Sequence, residues 1–576
     1  MTTNDASAVP DQAHAAPGEY SHKQILTILT GLLLGMFLGS LDQTIVSTSI
    51  RTIADDLHGL AAQAWVTTAY LITSTITTPI YGKLGDLWGR KKLFMFAISV
   101  FIVGSVMCSF ATSMYQLAAF RAFQGLGAGG LFTLVLAIIG DIVSPRERAK
   151  YTGYFMATFA TSSVLGPVIG GFFAGAHSIL GLTGWRWVFL VNAPIGVAAL
   201  IVVFRTLHVH HVRRSTAIDW YGAVALVVTL VPLLTVAEQG QSWGWGAGRS
   251  LACFAIGAVG LIGFIVAEAK MGRAALIPLA LFKIKAASVT VVASVIVGAA
   301  LFGGMMMLPL YLQIVHAASP TKSGLLMLPM VLGMMSASLI SGQITAKTGK
   351  PRIFPIVGSA IFTVGMLLLA QINADTHLWL VMLYMLILGY GVGNCMQPLM
   401  LTMQSSVPPQ AIGMATSSAT FFRQIGGTIG VAVFLSVLFG TVGSHIGTAF
   451  SDAGKTPEFT AVVQKYTAQG QAGQTSPSIE LVHELQLQQE GKPLPSNGIF
   501  ATITDDSSVI NGLDPVLAHP FKVGFSQSIV KVFWIVSGIG VLAFLVLLLM
   551  PEVELRDTSA AAAAAAQRAA SAESAG

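Results

Sequence analysis

Long apolar runs recur along the whole chain, and shorter polar stretches separate them. A run of about 20 apolar residues is long enough to cross the hydrocarbon core of a bilayer as a helix. The apolar positions are continuous rather than alternating, which excludes a transmembrane barrel. The pattern predicts fourteen transmembrane helices, at residues 24–50, 63–81, 93–112, 115–140, 152–175, 186–204, 219–237, 251–269, 288–312, 323–345, 353–372, 377–400, 414–440 and 525–550.

The composition agrees with lipid as the solvent. Of the residues, 54% are hydrophobic and only 10% are charged, whereas soluble domains carry about 25% charged residues. The formal net charge of +6 is spread without a dense basic block, so we expect no nucleic acid as a partner. The three cysteines lie in apolar runs without the spacing of a metal site or a disulfide framework. We therefore expect no metal and no cofactor.

The basic residues of the short loops alternate between the two sides of the predicted spans. One set of loops is rich in Lys and Arg, as in Arg90–Lys92, and the intervening short loops hold few. Because basic loops stay in the cytosol, this asymmetry predicts a multi-pass protein of the cytoplasmic membrane with both termini cytosolic. Residues 1–23 lack the basic n-region of a signal peptide, and the first apolar run is too long for one.

An internal repeat predicts two related halves. "GKLGDLWGRKK" (Gly82 to Lys92) is echoed by "GQITAKTGKPR" (Gly342 to Arg352), and "GLGAGG" from Gly125 is echoed by "GYGVGN" from Gly389. Paired helical halves with substrate bound between them are typical of secondary transporters. The predicted fold is all-α, with two pseudo-symmetric six-helix bundles and two inserted helices. The predicted segments are a cytosolic tail 1–23, an N-terminal bundle 24–204, a linker 205–286 with inserted helices 7 and 8, a C-terminal bundle 287–440 and 525–550, an extracellular loop 441–524, and a cytosolic Ala-rich tail 551–576.

One carboxylate lies where it is costly to keep. Asp42 stands inside "GMFLGSLDQTIVSTSI", and a charge at the bilayer centre costs at least about 2.5–3.5 kcal/mol. An acid in such a place can hold a proton and release it when water or a cation arrives. Arg121 and Arg423 are intramembrane bases that could pair with it. The hypothesis is that Asp42 pairs alternately with an arginine and with a proton; the alternatives are a static ion pair, or an acid that only bonds neighbouring hydroxyls such as Thr44.

Several motifs resemble one known family. "GKLGDLWGRKK" resembles the signature loop of the major facilitator superfamily, and "LAAFRAFQGLGAGG" resembles its fourth-helix motif, with Arg121 as the arginine. "SSVLGPVIGGFF" is similar to its fifth-helix antiporter motif, although Ser162 stands where the family usually has glycine. "LDQTIVSTSI", "WRWVFLVNAPIG", "LPLYLQ" and "FFRQIGGTIG" resemble the fourteen-helix drug:proton antiporter branch, of EmrB/QacA type.

The resemblance implies roles for these motifs. It implies a proton or cation site at Asp42, and a latch at the cytosolic face that holds the outward-open state. The latch residues are Gly82, Asp86, Gly89 and Arg90. The second copy of the loop has Ala346 in place of the acid, so its latch is weaker or absent. The antiporter motif comprises Gly166, Pro167, Gly170 and Gly171, for which a plain packing seam is the alternative.

The signals for a substrate pocket are weaker. Flexible, polarizable methionines suit a promiscuous apolar pocket, although core packing is their commoner role. The candidate pocket residues are Gln124, Met305, Met306, Asn394, Met396 and Gln397.

The sequence as a whole predicts a proton-coupled antiporter that exports lipophilic or cationic drugs by alternating access. No nucleophile–base set indicates an enzyme, and no G-x-x-x-x-G-K-[ST] loop indicates ATP. The expected partners are small lipophilic or cationic substrates, protons and the lipid bilayer. The oligomeric state stays open, and a monomer would suffice. The alternatives are an exporter of a lipid, siderophore or metabolite on the same scaffold, and a membrane receptor or scaffold that transports nothing.

Overall fold

The computed structural model describes residues 21–57, 63–207, 219–408, 411–472, 474–490, 492, 495, 498–500, 507–553 and 555. The predicted tails 1–23 and 551–576 fall largely outside these ranges. The first seven helices are α1 (His22–Asp56), α2 (Gln63–Trp88), α3 (Arg90–Ser109), α4 (Met114–Ile142), α5 (Pro145–Gly175), α6 (Arg186–Leu190) and α7 (Asn192–Thr206). A short antiparallel hairpin, β1 (Ser178–Ile179) and β2 (Leu182–Thr183), lies between α5 and α6.

Eleven further helices complete the described part of the chain. They are α8 (Trp220–Trp243), α9 (Gly248–Met271), α10 (Lys285–Ile314), α11 (Pro320–Leu326), α12 (Leu328–Thr348), α13 (Ile353–Leu369), α14 (Leu378–Ser405), α15 (Ile412–Ala453), α16 (Pro457–Gln471), α17 (Pro477–Gln489) and α18 (Pro515–Leu548). Turns of 3-10 helix cover Gly272–Ala274, Leu279–Lys283 and Ser507–Gly512.

Each of the fourteen predicted spans coincides with helix. Two are built from two pieces, α6 with α7 and α11 with α12. Within the described ranges, twelve segments have the length and apolar composition of a membrane span. Of the remaining two, α13 is apolar but shorter, and α2 is long but rich in threonine. The all-α polytopic fold predicted from the sequence is thus confirmed.

Two helical bundles form the body of the protein. The N-terminal bundle packs α1 to α5 and α7 around a core that includes Leu32, Phe94 and Leu131. The C-terminal bundle packs α10, α12 to α15 and α18 around Tyr311 and Phe533. Burial of such side chains removes apolar surface from water or lipid and fills space densely, which fixes the helix positions within each bundle.

The internal repeat has a structural counterpart in both bundles. Gly125 and Gly129 of α4 press against the backbone of α2, just as Gly389 and Gly393 of α14 press against that of α12. The shared pattern follows from close packing of backbones at residues without side chains. The helix turns after α2 and α12 also match, since Gly89 has φ 95° and the C-cap Gly349 has φ 71°. Backbone in this region favours glycine, so the repeated glycines mark equivalent turns.

The α8–α9 hairpin lies across the junction of the bundles. Leu226 and Leu230 of α8 pack with Ile76 of α2 on one side and with Phe421 of α15 on the other. Its second helix α9 is mostly exposed, as an apolar helix facing lipid would be. The first of the two inserted helices therefore contacts both halves, and the second packs against the first.

Much of the predicted extracellular loop 441–524 is helical. Helix α15 continues to Ala453 instead of ending near 440, and α18 begins at Pro515 instead of 525. These ends, together with α16, α17 and Ser507–Gly512, form a unit that we call the cap. Phe450, Phe459 and Phe521 lie in its core. The buried carboxylate of Glu484 in α17 accepts hydrogen bonds from the backbone N–H groups of Ile499 and Phe500, the latter at 3.0 Å.

Candidate functional site

The acid at the centre of the N-terminal bundle is paired with a base. Asp42 of α1 is fully buried, and Arg121 of α4 is 2% exposed. Arg121 Nη1 lies 2.6 Å from Asp42 Oδ2. The structure thus joins Asp42 with Arg121, whereas the sequence left open which of two arginines would be its partner.

A second residue of α4 and one residue each of α3 and α7 complete the hydrogen-bond network around the pair. Gln124 Nε2 donates to Asp42 Oδ1 at 2.9 Å, and Asn192 Nδ2 of α7 donates to the same oxygen at 2.8 Å. Both amides also reach Ser105 Oγ of α3, at 2.6 and 3.0 Å. Asp42 therefore accepts from three donors, which suits an ionised carboxylate because a carboxylate only accepts hydrogen bonds.

The guanidinium of Arg121 contacts an aromatic ring, and part of its hydrogen-bonding capacity is not used. The guanidinium lies 4.0 Å from the ring centroid of Tyr70 in α2, in a cation–π arrangement. Among the residues that the structure describes, the buried atoms Arg121 Nε and Asn192 Oδ1 have no hydrogen-bond partner. Unsatisfied buried polar atoms cost free energy, and here they leave bonds that a rearranged network could form.

The predicted latch residues meet at one end of the bundles. This end, which we call the basic end, is formed by the α2–α3, α4–α5 and α14–α15 connections. Asp86 Oδ1 lies 2.8 Å from Arg90 Nη2, and Arg90 Nε lies 2.9 Å from Asp141 Oδ2. The Met414 N–H of α15 donates to Asp86 Oδ2 at 3.0 Å. The acid of the first bundle therefore binds the N-terminus of a helix in the second, where negative charge is favoured.

A second cross-bundle contact reinforces the basic end. Arg148 of α5 donates to the side chain of Gln404 in α14, and to the carbonyl oxygens of Gly140 and Val143 at 3.1 and 3.0 Å. Burial lowers the pKa of Arg148 to about 10, so the group stays protonated at neutral pH. Gly82 of α2 lies directly against Ser417 of α15, where any side chain would collide. The two bundles are closed against each other here.

The antiporter motif lies where α5 contacts α1 on one side and α11 and α12 on the other. Gly166 and Gly170 face Thr44 and Thr48 of α1 with no room for a side chain. Thr44 Oγ1 donates to the carbonyl of Ser162 at 3.1 Å, so the serine that replaces the usual glycine fits the same face. Pro167 and Gly171 lie on the other side, towards α11. The motif forms a tight seam, and its role in transport remains a prediction.

Arg423 lies apart from Asp42, in the C-terminal bundle. It lines a small cavity between α10, α14 and α15, together with Met396. The other predicted pocket residues are scattered. Gln124 belongs to the Asp42 network, and Asn394 is buried and donates to the carbonyl of Tyr390 at 2.9 Å. Met306 is 44% exposed, Gln397 is half-buried, and the side chain of Met305 lies outside the described part of the chain.

Sequence reasoning missed several residues of these sites. Asn192, Ser105 and Tyr70 surround the ion pair, and Asp141 and Gln404 strengthen the basic end. Asn192 had a usable signal, since an amide within an apolar span needs a partner. Ser105 had none, because serine occurs often in membrane helices without a functional role.

A pair of membrane-spanning bundles, with a buried charge pair in one and a hydrogen-bonded closure between both, defines a polytopic membrane transporter. The chain belongs to the Major Facilitator Superfamily, whose family model matches residues 32–431.

Similar proteins agree with this assignment. The chain is 35% identical over 423 residues to the multidrug transporter protein MdtP of Bacillus subtilis, covering 73% of this chain and 76% of that protein. It is 34% identical over 426 residues to multidrug resistance protein 3 of the same organism, covering 74% and 81%. Among solved structures, the proton:xylose symporter XylE superposes with a TM-score of 0.54 at 14% identity, covering 95% of this chain and 99% of that one. This last likeness concerns the fold alone.

Proposed function

We propose that the protein is a proton-coupled antiporter that exports lipophilic or cationic drugs and related compounds across the cytoplasmic membrane. Relatives named as multidrug transporters support the export of drugs. The observation that carries proton coupling is the buried ion pair of Asp42 and Arg121. A carboxylate in the membrane with a single breakable counter-charge is a group that a proton can neutralise.

In this proposal the proton competes with Arg121 for Asp42. Protonation removes the charge that holds the guanidinium, and Arg121 then loses its 2.6 Å partner. Because the acid lies on α1 and its donors on α4 and α7, loss of the ion pair loosens contacts among three helices. A loosened N-terminal bundle can rock against its partner, which is the motion that alternating access requires.

In this proposal the structure is a state that is closed towards the cytosol. With the basic end in the cytosol, the contacts of Asp86 and Arg148 shut the cytosolic side.

The free energy of the proton gradient can be compared with the work of export. Inward movement of one proton yields about 2.3 kcal/mol per 100 mV, and every 1.4 kcal/mol sustains about a tenfold gradient of exported compound. The proposed exchange is therefore sufficient to drive export.

The variant Asp42→Asn tests the coupling. It keeps the shape of the side chain but cannot lose a proton, so proteoliposomes carrying it should show no uptake of a cationic dye driven by an imposed pH gradient. Asp375→Asn changes an exposed acid outside the bundles and should transport like the wild type. Proton-driven dye transport that persists in Asp42→Asn would contradict the proposal.

A further inference from the structure

The side-chain amide of Asn192 uses only one of its two ends. Its Nδ2 group donates to Asp42 Oδ1 at 2.8 Å and to Ser105 Oγ at 3.0 Å. Its carbonyl oxygen, Oδ1, is buried and has no hydrogen-bond partner among the residues that the structure describes. An amide has both donors and an acceptor, so the acceptor of this side chain is held at the ion pair without being used.

The other amide of the network is fixed in one direction. Gln124 Oε1 accepts from Arg121 Nη1 at 2.7 Å. Its Nε2 group donates to Asp42 Oδ1 and to Ser105 Oγ. Reversal of this amide would turn its N–H groups towards a guanidinium, which has donors and no acceptor. Arg121 therefore sets the direction of Gln124, whereas the amide of Asn192 has no contact with that base.

Protonation of Asp42 would change what its neighbours must provide. The ionised carboxylate only accepts hydrogen bonds, and Asn192 supplies one of its donors. A protonated carboxyl group carries an O–H, which needs an acceptor. Because a buried O–H without an acceptor costs free energy, a site that takes up a proton has to offer one.

A half-turn of the Asn192 amide about its Cβ–Cγ bond supplies this acceptor. The turn exchanges Oδ1 and Nδ2, because the two ends of an amide have nearly the same shape. The carbonyl oxygen then lies close to the present place of Nδ2, 2.8 Å from Asp42 Oδ1 and 3.0 Å from Ser105 Oγ. There it accepts from the carboxyl O–H and from the hydroxyl of Ser105, which donates to none of the described residues in the present arrangement. The amide makes two hydrogen bonds to these neighbours in either direction, so the turn loses none.

Arg121 determines which oxygen of Asp42 takes the proton. Its Nη1 lies 2.6 Å from Asp42 Oδ2, so a proton on Oδ2 would face a donor instead of an acceptor. Tyr70 of α2 and Cys108 of α3 are two further titratable groups that face Asp42, and both types are uncharged at neutral pH. Oδ1, beside Asn192, is therefore the oxygen at which a proton finds an acceptor.

We propose that Asn192 is a further residue of the coupling site, whose side-chain amide donates to ionised Asp42 and reverses to accept from protonated Asp42. It is a positioning residue, because it holds the proton on the oxygen that Arg121 does not bind. The inference rests on the proposed function in requiring that Asp42 takes up a proton. It goes further, because proton uptake by Asp42 does not by itself require that Asn192 moves.

Selective labelling of asparagine tests the reversal in the full chain in liposomes. The sequence contains six asparagines, so a carbon-13 label at their side-chain carbonyls gives few solid-state NMR signals, and the one missing in Asn192→Leu belongs to Asn192. On acidification this signal should move downfield, because its carbonyl gains two hydrogen bonds. The move should cover the pH range in which the infrared band of the protonated Asp42 carboxyl group appears, a band that Asp42→Asn lacks. The signal of Asn394 is the internal control and should not move, because that amide donates to the carbonyl of Tyr390 in the other bundle.

Two variants at the same position distinguish this role from packing. Leucine has nearly the shape of asparagine but neither donates nor accepts, whereas the smaller serine has a hydroxyl that does both. Proton-driven dye transport should be largely lost in Asn192→Leu and partly kept in Asn192→Ser. A residue that only fills space would give the opposite order.

Failure of this inference can be told apart from failure of proton coupling. If the Asp42 band appears on acidification while the Asn192 signal stays in place, the reversal is overturned and protonation of Asp42 stands. Transport at the wild-type rate in Asn192→Leu also overturns the role of Asn192. If the Asp42 band appears at no pH at which the protein stays folded, both proposals are wrong.

Discussion

Removing the carboxylate of Asp86 should open the basic end of the bundles. This acid makes two kinds of bond, and only one of them crosses between the bundles. Its ion pair with Arg90 joins α2 to α3 within the N-terminal bundle. Its bond with the Met414 N–H, at 3.0 Å, joins α2 to the N-terminus of α15. When the two bundles separate at the basic end, the bond with the Met414 N–H breaks and the ion pair with Arg90 stays intact.

The size of the effect follows from this division. A hydrogen bond to a charged group contributes about 1.5–3 kcal/mol, and Asp86 is mostly buried, so solvent screens it little. The loss of the Arg90 pair affects the closed and open states alike and cancels. Asp86→Ala should therefore shift the ratio of closed to open molecules by roughly 10- to 150-fold towards the open state.

Distances between spin labels at the basic end measure this ratio. Lys92 at the start of α3 and Lys347 at the end of α12 are exposed and lie in different bundles, so cysteines at these positions can carry the labels. The native Cys108, Cys253 and Cys395 are first replaced by serine. Double electron–electron resonance should show one main short distance in the parent protein and a larger share of a longer distance in Asp86→Ala.

A matched variant distinguishes the cross-bundle bond from a general loss of charge. Asp141→Asn removes the other ion pair of Arg90, at 2.9 Å, which joins α3 to α4 within one bundle. It should leave the distance distribution unchanged. The reasoning is refuted if Asp86→Ala keeps the parent distribution, or if Asp141→Asn opens the basic end as much.

Two further predictions concern packing and the cap. Gly166→Val should lower the melting temperature, because Thr44 of α1 fills the space and overpacking costs about 1–3 kcal/mol. Gly171→Val is the control and should be tolerated, because a Cβ added there lies 3.9 Å from the nearest atom of a neighbouring element. Equal melting temperatures of the two variants would contradict this. Glu484→Ala should speed amide hydrogen exchange in the cap, because two buried N–H groups lose their acceptor at about 1–3 kcal/mol. The exposed Glu480→Ala on the same helix is its control, and matching exchange in both variants would contradict the argument.

The fourteen helical spans could be predicted because the bilayer imposes a local rule. A span must be helical and long enough to cross, and both properties depend on consecutive residues. The turns at Gly89 and Gly349 were also readable, since a repeated glycine marks a backbone that other residues rarely adopt. The bounds of α15 and α18 were not, because their outer turns are held by packing in the cap rather than by lipid.

The candidate sites likewise contain some residues that the sequence revealed and others that only the structure revealed. Asp42 was visible as a charge in an apolar run, and the ion pair of Asp86 with Arg90 was visible as a spacing of four residues on neighbouring helix ends. The contributions of Asn192 and of the Met414 N–H were not visible. A backbone donor has no sequence signature, and an amide 150 residues from its acceptor is found only when the helices are placed.

Local sequence was enough to establish that this protein crosses the membrane many times, has two related halves and carries charges inside the bilayer. Hydropathy, glycine spacing and isolated charges are properties of short stretches, so they can be recognised before the helices are placed. The packing of distant helices was needed to establish that Asp42 meets Arg121 while Arg423 lines a separate cavity, and that the halves are closed at the basic end. These outcomes could not be read from short stretches, because electrostatic pairing acts only over the few ångströms that packing sets.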